Sequence, residues 1–516
     1  MVAHKNWKAK FFLYLLPSVI FLFGCSIHFQ RGYYYIDLTS THAQGADDAY
    51  ISYRYGWNLA HDGELSWNES GYRRTEGFTN PLWVYLSAAW ALLGMKEWVY
   101  PLMVGISVLA ASVLLILLIH TVYSTHQRSG AAVIGLILVA AAPAVWLHTT
   151  SGLESGVFGL GLALLAYLVL FGEERRSHSL TILCLAIFLG LLRSDGFIYL
   201  GIILIAALIA GSKSWKALAF GLLFSGLGLI VWRQVMFGAW LPNTAVAKVN
   251  FSLLERLQVG SVLLLFTFIN SGLFVILILG LAGIVVMPRR KQLASFWILL
   301  VWLAYYLYIG GDIYFERHLV GLFFLAAAFS APLWFRTNRI LSGVLVLLVL
   351  AGIALSIRRD MGRFDYRSPK SNDPLVMLGQ ALEVERSRYG VLISAAAGKI
   401  PYYAGGDCID PFGLNDPYLA TKQRPKFMPG HSAGSDLAAI EMARSHPSGV
   451  YATFSFLDKN IVPSPESISM WIDNRHPQDT VQRKVTQQQW DAALETGDLF
   501  IWSIISQPVQ VSSQNP

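Results

Sequence analysis

Charge is what this sequence has least of. Of its 516 residues only 14% are Asp, Glu, Lys or Arg, where a soluble domain carries about 25%. That shortage excludes a disordered chain and an ordinary cytosolic enzyme. Cysteine is also scarce. Cys25, Cys184 and Cys408 cannot make a disulfide framework, so cysteine usage leaves the redox compartment open. The histidines and cysteines form no cluster with metal-ligand spacing, and neither a metal nor a cofactor is expected. There is no solenoid period, no low-complexity tract and no heptad repeat. The net charge of +7 does not indicate nucleic acid, because the basic residues mostly lie in short loops between apolar runs, where they act as topology signals.

What is abundant is apolar sequence, 54% of the chain, with a mean hydropathy of +0.48. A bilayer core takes about 20 apolar residues per helix. Runs at 11–29, 98–121, 131–148, 156–172, 179–192, 197–210, 216–235, 261–287, 295–310, 318–335 and 340–357 predict about eleven transmembrane helices. The first follows Lys5, Lys8 and Lys10 and is expected to be an uncleaved helix rather than a signal peptide. Loops carrying Arg128, Arg175/Arg176, Lys213/Lys216, Arg289–Lys291 and Arg336/Arg339 alternate with loops at 149–155, 193–196, 236–250 and 310–317. If the basic set is cytoplasmic, the second set and the C-terminus lie outside. Eleven spans satisfy this parity. The 14-residue stretch at 81–94, opening on Asn80-Pro81, is therefore expected not to cross.

The fold class expected is a mainly α polytopic membrane protein with a C-terminal extracytoplasmic α/β domain. Residues 1–357 would form the membrane domain, with a long outer loop at 30–79, and residues 358–516 the polar tail. Strand-like runs at 391–394 and 500–504 and a helix-like run at 438–445 indicate mixed structure in that tail.

Polar residues collect at the outer face: Asp47-Asp48, Arg54, Glu76, Asn80, Glu154, Arg193, Asp195, Asn243, Lys248, Asp312, Arg317 and His318. Two neighbouring acids suit general-base work, one facing a substrate hydroxyl while the other orients it. Arginines and a lysine at the same face suit a phosphate, by forked guanidinium contacts and by point charge. Each residue has a plainer reading. The acids serve equally as helix caps, Arg54 as a partner of the aspartates, and Lys248 as a snorkelling interface lysine. Transport is disfavoured, because the middles of the predicted spans lack the ionisable groups a pathway needs.

The segments Asp47-Asp48-Ala49-Tyr50-Ile51-Ser52-Tyr53-Arg54-Tyr55, Asn58-Leu59-Ala60 and Glu76-Gly77-Phe78-Thr79-Asn80 resemble the opening signature of the polyprenyl-phosphate-dependent GT-C glycosyltransferases. Among these, they look like the terminal β-(1→2)-arabinofuranosyltransferases of the mycobacterial cell wall and related Gram-negative enzymes. The likeness recurs at Ser151–Glu154, Leu241–Thr244 with Lys248, Gly310–Asp312 with Arg317, Ile400–Tyr403, Asp410–Asp416 and Pro429-Gly430-His431. It departs at Arg193-Ser194-Asp195-Gly196, where a proline is expected second, and at Glu316 beside Arg317.

The resemblance implies transfer of a sugar, D-arabinofuranose, from a polyprenyl-phosphate donor to a hydroxyl of a glycan or protein, outside a bacterial cytoplasmic membrane. It implies Asp47 as the base with Asp48 close behind, and phosphate binding by Arg54, Arg193, Lys248, Arg317 and His318. Sugar or acceptor contacts would come from Glu76, Asn80, Glu154, Asp195, Asn243, Asp312, Tyr402, Tyr403, Asp410, Asn415 and Asp416. The partners are a lipid-linked sugar, an acceptor and membrane lipid. Rival expectations are another lipid-linked sugar (mannose, galacturonic acid, aminoarabinose), a lipid-sugar flippase, or a non-catalytic glycan-binding membrane protein.

Overall fold

A computed structural model describes residues 7–31, 33–35, 40–42, 45–68, 74–126, 130–172, 176–248, 251–271, 273–312, 314, 316–336, 343–354, 373–428, 431–455, 466, 468–473, 481–496 and 499–505. The chain is a helical bundle followed by a small mixed sheet. Among the described residues two helices, Lys96–Thr125 and Trp215–Phe237, are long and apolar enough to cross a membrane. Two bent pairs add two more if each counts as one span.

Other runs read as spans form shorter apolar helices, Ser155–Phe171, Arg176–Leu192 and Gly196–Ala210 among them, and two runs are bent. The run read as 131–148 breaks into Ala131–Ala140 and Pro143–Thr150, inclined by 58°. Pro143 has no N–H to donate to the preceding turn, so it starts a helix rather than continuing one. The run read as 261–287 is Leu253–Ser271 followed by Phe274–Val285, with 94° between the pair. The stretch at 81–94 is an 11-residue helix, Pro81–Ala91. At about 1.5 Å per residue it is too short to cross, and it packs on the helices Asp47–His61 and Lys96–Thr125.

Two helices form the centre of the bundle. Ser155–Phe171 and Val320–Phe329 are buried almost all round, as expected of helices without a polar face. A Cβ on Gly159 would come within 2.8 Å of the Gly321 nitrogen, so the two backbones touch where neither residue has a side chain. Peripheral helices are two-sided. On Trp215–Phe237, Leu223, Leu227, Val231 and Val235 are exposed at a four-residue spacing, which puts them on one outward stripe. The opposite stripe, Leu218, Gly221, Ser225, Leu229 and Arg233, is buried.

The tail carries a five-stranded sheet in the order Asp407–Ile409, Val391–Ser394, Tyr451–Ser455, Leu499–Ile505, Met470–Asp473. The first three strands are parallel and the last two pair antiparallel. Successive strand residues face opposite sides. Val391 and Ile393 pack with Ile409, Ala439 and Ile440. Leu392 faces the other way, into a core shared with Leu378 and Ile400 of the tail and with Ile51, Tyr55 and Trp67 of the first outer loop. The tail is thereby packed onto the helix that carries the paired aspartates. It also inserts Tyr402 and Tyr403 into the bundle core beside Tyr50 and Tyr53.

Candidate active site

The helix Asp47–His61 organises the site. Its N-terminus holds two acids in the first turn, where the helix dipole favours negative charge. Consecutive residues on a helix point about 100° apart, and this separates the pair. Asp47 shares a face with Arg54, seven residues on, and this face meets the tail. The Asp47 carboxylate accepts from the Gly398 N–H at 3.0 Å and the Lys399 N–H at 2.7 Å. Burial pushes its carboxyl up to about 6, against the Lys399 N–H, which works to lower it. Arg54 donates to the carbonyls of Trp67, Pro401 and Gly406 and lies over the Trp67 ring.

A fully buried ion pair stands behind this contact. Lys399 Nζ lies 2.6 Å from Asp373 Oδ2, with both side chains at 0% exposure, and 2.7 Å from the Gly45 carbonyl. Asp373 also caps the helix Pro374–Val384 through the Leu375 and Val376 N–H groups.

Asp48 lies on the other face, with Ile51 and Ser52, and these three line a narrow cleft of about 40 Å³. Its other charged walls are Glu154, Arg193, Lys248 and Arg317, three cations against two carboxylates. Arg193 is forked onto Asp195 at 2.8 and 3.0 Å and donates to Glu154 at 2.8 Å. Glu154 also accepts from Asn80 at 2.6 Å, and Asn80 accepts from Ser52 at 2.8 Å. Glu154 and Asp195 therefore serve Arg193 and do not cap the helices they precede. Burial works to raise the Asp195 carboxyl, but Arg193 outweighs it and holds it below the usual range.

Arg317 sits between two acids, ion-paired with Asp312 and 3.5 Å from Asp48. Burial opposes charge on Asp312, yet Arg317 and His318 hold its carboxyl well below the usual range. His318 bridges Asp312 at 3.5 Å and Asp195 at 4.0 Å and does not line the cleft. The Arg317 Nε and the Thr244 hydroxyl are buried with no hydrogen-bond partner among the described residues. Lys248 makes no ion pair among them either. Burial and the nearby Arg317 pull its ammonium down from the usual lysine range. The cleft thus holds one lysine with no ion pair among the described residues, and an unused Arg317 Nε–H, beside one carboxylate that is 23% exposed.

Of the residues read from sequence, Asp48, Asn80, Glu154, Arg193, Lys248 and Arg317 meet in this cleft, with Asp195, Asp312 and His318 directly behind it. The others are placed elsewhere. Arg54 is used on tail and loop carbonyls. Glu76 is buried and forked by Arg233, which also donates to Ser194. Asn243 donates to the Gly413 and Leu414 carbonyls at 2.8 and 2.9 Å. Tyr402 and Tyr403 are packing residues, and the Tyr402 hydroxyl donates to the Lys96 carbonyl at 3.2 Å. Asp410 builds a turn by accepting from the Phe412, Leu414 and Asn415 N–H groups, and burial pushes its carboxyl up to about 6. Asp416 caps the next turn through Tyr418 and Leu419. Asn415 accepts from Tyr55 at 3.3 Å. Of the segment Pro429-Gly430-His431, the first two residues and the side chain of the third lie outside the described residues.

Arg233, Asp373 and Lys399 were not singled out from sequence. Arg233 had a signal, a guanidinium on the inner stripe of an otherwise apolar run. Asp373 before Pro374 had one too, a cap followed by a first-turn proline. Lys399 had none, since its partners are 26 and 354 residues away.

No protein-family model matches the chain, and no curated protein sequence matches it. Solved structures do. The Archaeoglobus fulgidus oligosaccharyltransferase tethered with an acceptor peptide superposes with a TM-score of 0.51 at 14% identity, over 95% of this chain and 75% of that one. The same organism's oligosaccharyltransferase AglB, in complex with an inhibitory peptide and a dolichol-phosphate, gives 0.52 at 12% identity, over 93% and 75%. ArnT from Cupriavidus metallidurans bound to undecaprenyl phosphate gives 0.52 at 12%, over 97% and 98%. These neighbours are GT-C transferases. The chain has their fold.

Proposed function

We propose that the protein is an inverting glycosyltransferase that moves D-arabinofuranose from a polyprenyl-phosphate donor to a hydroxyl of a cell-surface glycan or protein. The observation that carries the chemistry is the cleft itself, where Asp48 faces Lys248 and Arg317. In a single in-line displacement the acceptor oxygen bonds to the anomeric carbon as the bond from that carbon to the phosphate oxygen breaks. The acceptor proton passes to Asp48. The lipid phosphate departs with the bonding pair, and its growing negative charge meets Lys248 and Arg317 in a site poor in water. A phosphate leaving group needs no general acid, so the double-carboxylate arrangement of hydrolases is unnecessary. Asp47, held by two backbone N–H groups, fixes the helix start from which Asp48 projects. Arg193, with Glu154 and Asn80, sets the wall of the cleft. The fold shared with an ArnT bound to undecaprenyl phosphate supports a lipid-phosphate donor. The arabinofuranosyl part rests on the sequence signature around Asp47–Asn80.

In this reading the chain crosses a bacterial cytoplasmic membrane eleven times, with the cleft and the tail outside. The test is transfer in detergent from synthetic polyprenyl-phosphoryl arabinofuranose to a short arabinan, with product identified by mass spectrometry. Wild type is expected to form product, and Asp48→Asn to form it at least about 100-fold more slowly. Turnover of a different lipid-linked sugar in place of this one would remove the arabinose assignment and keep the reaction class. Undiminished turnover by Asp48→Asn would overturn the mechanism.

A further inference from the structure

A second cavity, of about 450 Å³, opens between the first outer loop and the tail. The cleft chemistry does not use it. Its walls include Tyr55, Trp67, Thr75, Asn415, Asp416 and Tyr418. We propose that it is a binding subsite for a neutral oligosaccharide, the extended acceptor whose terminal hydroxyl is presented to Asp48. This rests on the glycosyl-transfer reading above and names the substrate class that reading leaves open.

Position is the first argument. Tyr55 is seven residues from Asp48 on one helix, so the two share a face about 10 Å apart along its axis. The cavities back onto the same short segments. Gly77 and Leu414 line the cleft, while Thr75 and Asn415 line the second cavity. A ligand of a few sugar residues spans that distance, and a monosaccharide does not.

Chemistry is the second argument. Aromatic walls alternate with amide and hydroxyl groups, the surface that a ring with apolar faces and hydroxyl edges requires. Charge is balanced. Asp416 stands against Arg74, and Arg74 itself pairs with Glu64 at 3.2 Å. A polyanion gains nothing from such a lining. The Trp67 Nε1–H is buried with no hydrogen-bond partner among the described residues. An unused buried donor is costly, and a ligand hydroxyl would satisfy it. Tyr418 is half-exposed at the rim, so it is available to a ligand without rebuilding the core.

Binding is read first, without turnover. Thr421 lines the cavity and is exposed. Of the native cysteines only Cys184 is exposed. Full-length Thr421→Cys in a Cys184→Ser background is labelled with a maleimide, with and without the added Asp48→Asn change. The probes are an arabinan hexasaccharide, a dextran hexasaccharide, an oligogalacturonate of equal length and a serine-rich peptide. At least one neutral hexasaccharide is expected to slow labelling fivefold or more in both backgrounds, and the polyanion and peptide are not. Equal labelling with every probe overturns the proposal, as does protection by the peptide or the polyanion instead.

Turnover is read second. Tyr418→Ala is expected to raise KM for a hexasaccharide acceptor about tenfold, the loss of one stacked ring. KM for a disaccharide and both kcat values should stay unchanged. An equal fall in kcat on both acceptors would mean that Tyr418 only supports the fold, and would overturn the assignment. Protection in the labelling experiment with no transfer from any lipid-linked sugar would strike down the reaction and leave the subsite standing.

Discussion

Replacing Lys399 by methionine tests whether the tail is part of the catalytic scaffold. Lys399 and Asp373 are 2.6 Å apart with neither side chain exposed. Removing the cation leaves a buried carboxylate uncompensated, which costs roughly 3–5 kcal/mol. The Gly45 carbonyl, 2.7 Å from the same ammonium, loses its donor for about 1 kcal/mol more. Adding Asp373→Asn removes the stranded charge. An asparagine oxygen can still accept from Leu375 N–H, now at 3.0 Å, so the cap survives. The double variant should therefore be only about 1–3 kcal/mol below wild type, against about 4–6 kcal/mol for Lys399→Met alone, a coupling of about 3 kcal/mol or more. The assay is a double-mutant cycle of unfolding free energies in mixed micelles, with kcat measured beside it. The backbone N–H of residue 399, which methionine keeps, holds Asp47, so a shift of this segment on loss of the ion pair should lower kcat more than it raises donor KM. A single variant costing under about 1 kcal/mol, or a strictly additive cycle, would refute the reasoning.

Further outcomes follow from the same geometry. Asp48→Asn should lower kcat by about 10²–10⁴ with donor KM little changed, whereas Asp47→Asn should chiefly destabilise, as thermal unfolding in detergent would show. Lys248→Ala should raise donor KM about tenfold or more, the loss of one phosphate contact. Because burial and Arg317 pull the Lys248 ammonium down, wild-type donor binding should weaken with rising pH before an ordinary lysine titrates. The Asp410 carboxyl is raised to about 6, so the folded chain holds that proton longer than the unfolded one and its stability falls as pH rises from about 4 to 6. Asp410→Asn, which lacks this titration, should gain stability relative to wild type between pH 4.5 and 7.5. Gly77→Ala would put a Cβ 1.8 Å from Asn415 Oδ1, and should loosen the seam between the two cavities and raise acceptor KM.

The sequence made the helical, apolar character of the bundle legible, though among the described residues two helices and two bent pairs reach the length of a span. It could not show the bends, which depend on neighbouring helices as much as on Pro143. It brought the charged residues to one face of the bundle but could not divide them between that face's tasks. Asp47 and Asp48 are chemically identical. What separates them is a rotation of about 100° and the Gly398 and Lys399 N–H groups of the tail, which bind Asp47. Arg54 was readable as a cation near the aspartates. Two of its carbonyl partners lie 347 and 352 residues away, and no local pattern carries such contacts. Lys248 and Arg317 were legible through the loops they share with Leu241–Thr244 and Gly310–Asp312, not through charge alone, since a loop cation serves equally as a topology signal or a snorkelling residue. Glu76 was not, since its partner Arg233 lies within a run read as membrane-spanning.

The hydrogen bond from Lys399 to Asp47 joins residues 352 positions apart. A growing chain adds roughly 5–20 residues each second. The helix that carries the proposed base therefore waits on the order of 20–70 s for the segment that fixes it. Throughout that interval the chain holds its acids and cations without the frame that aims them. On the proposed mechanism, competence comes only when the tail docks, and a protein truncated before residue 399 is expected to be inactive.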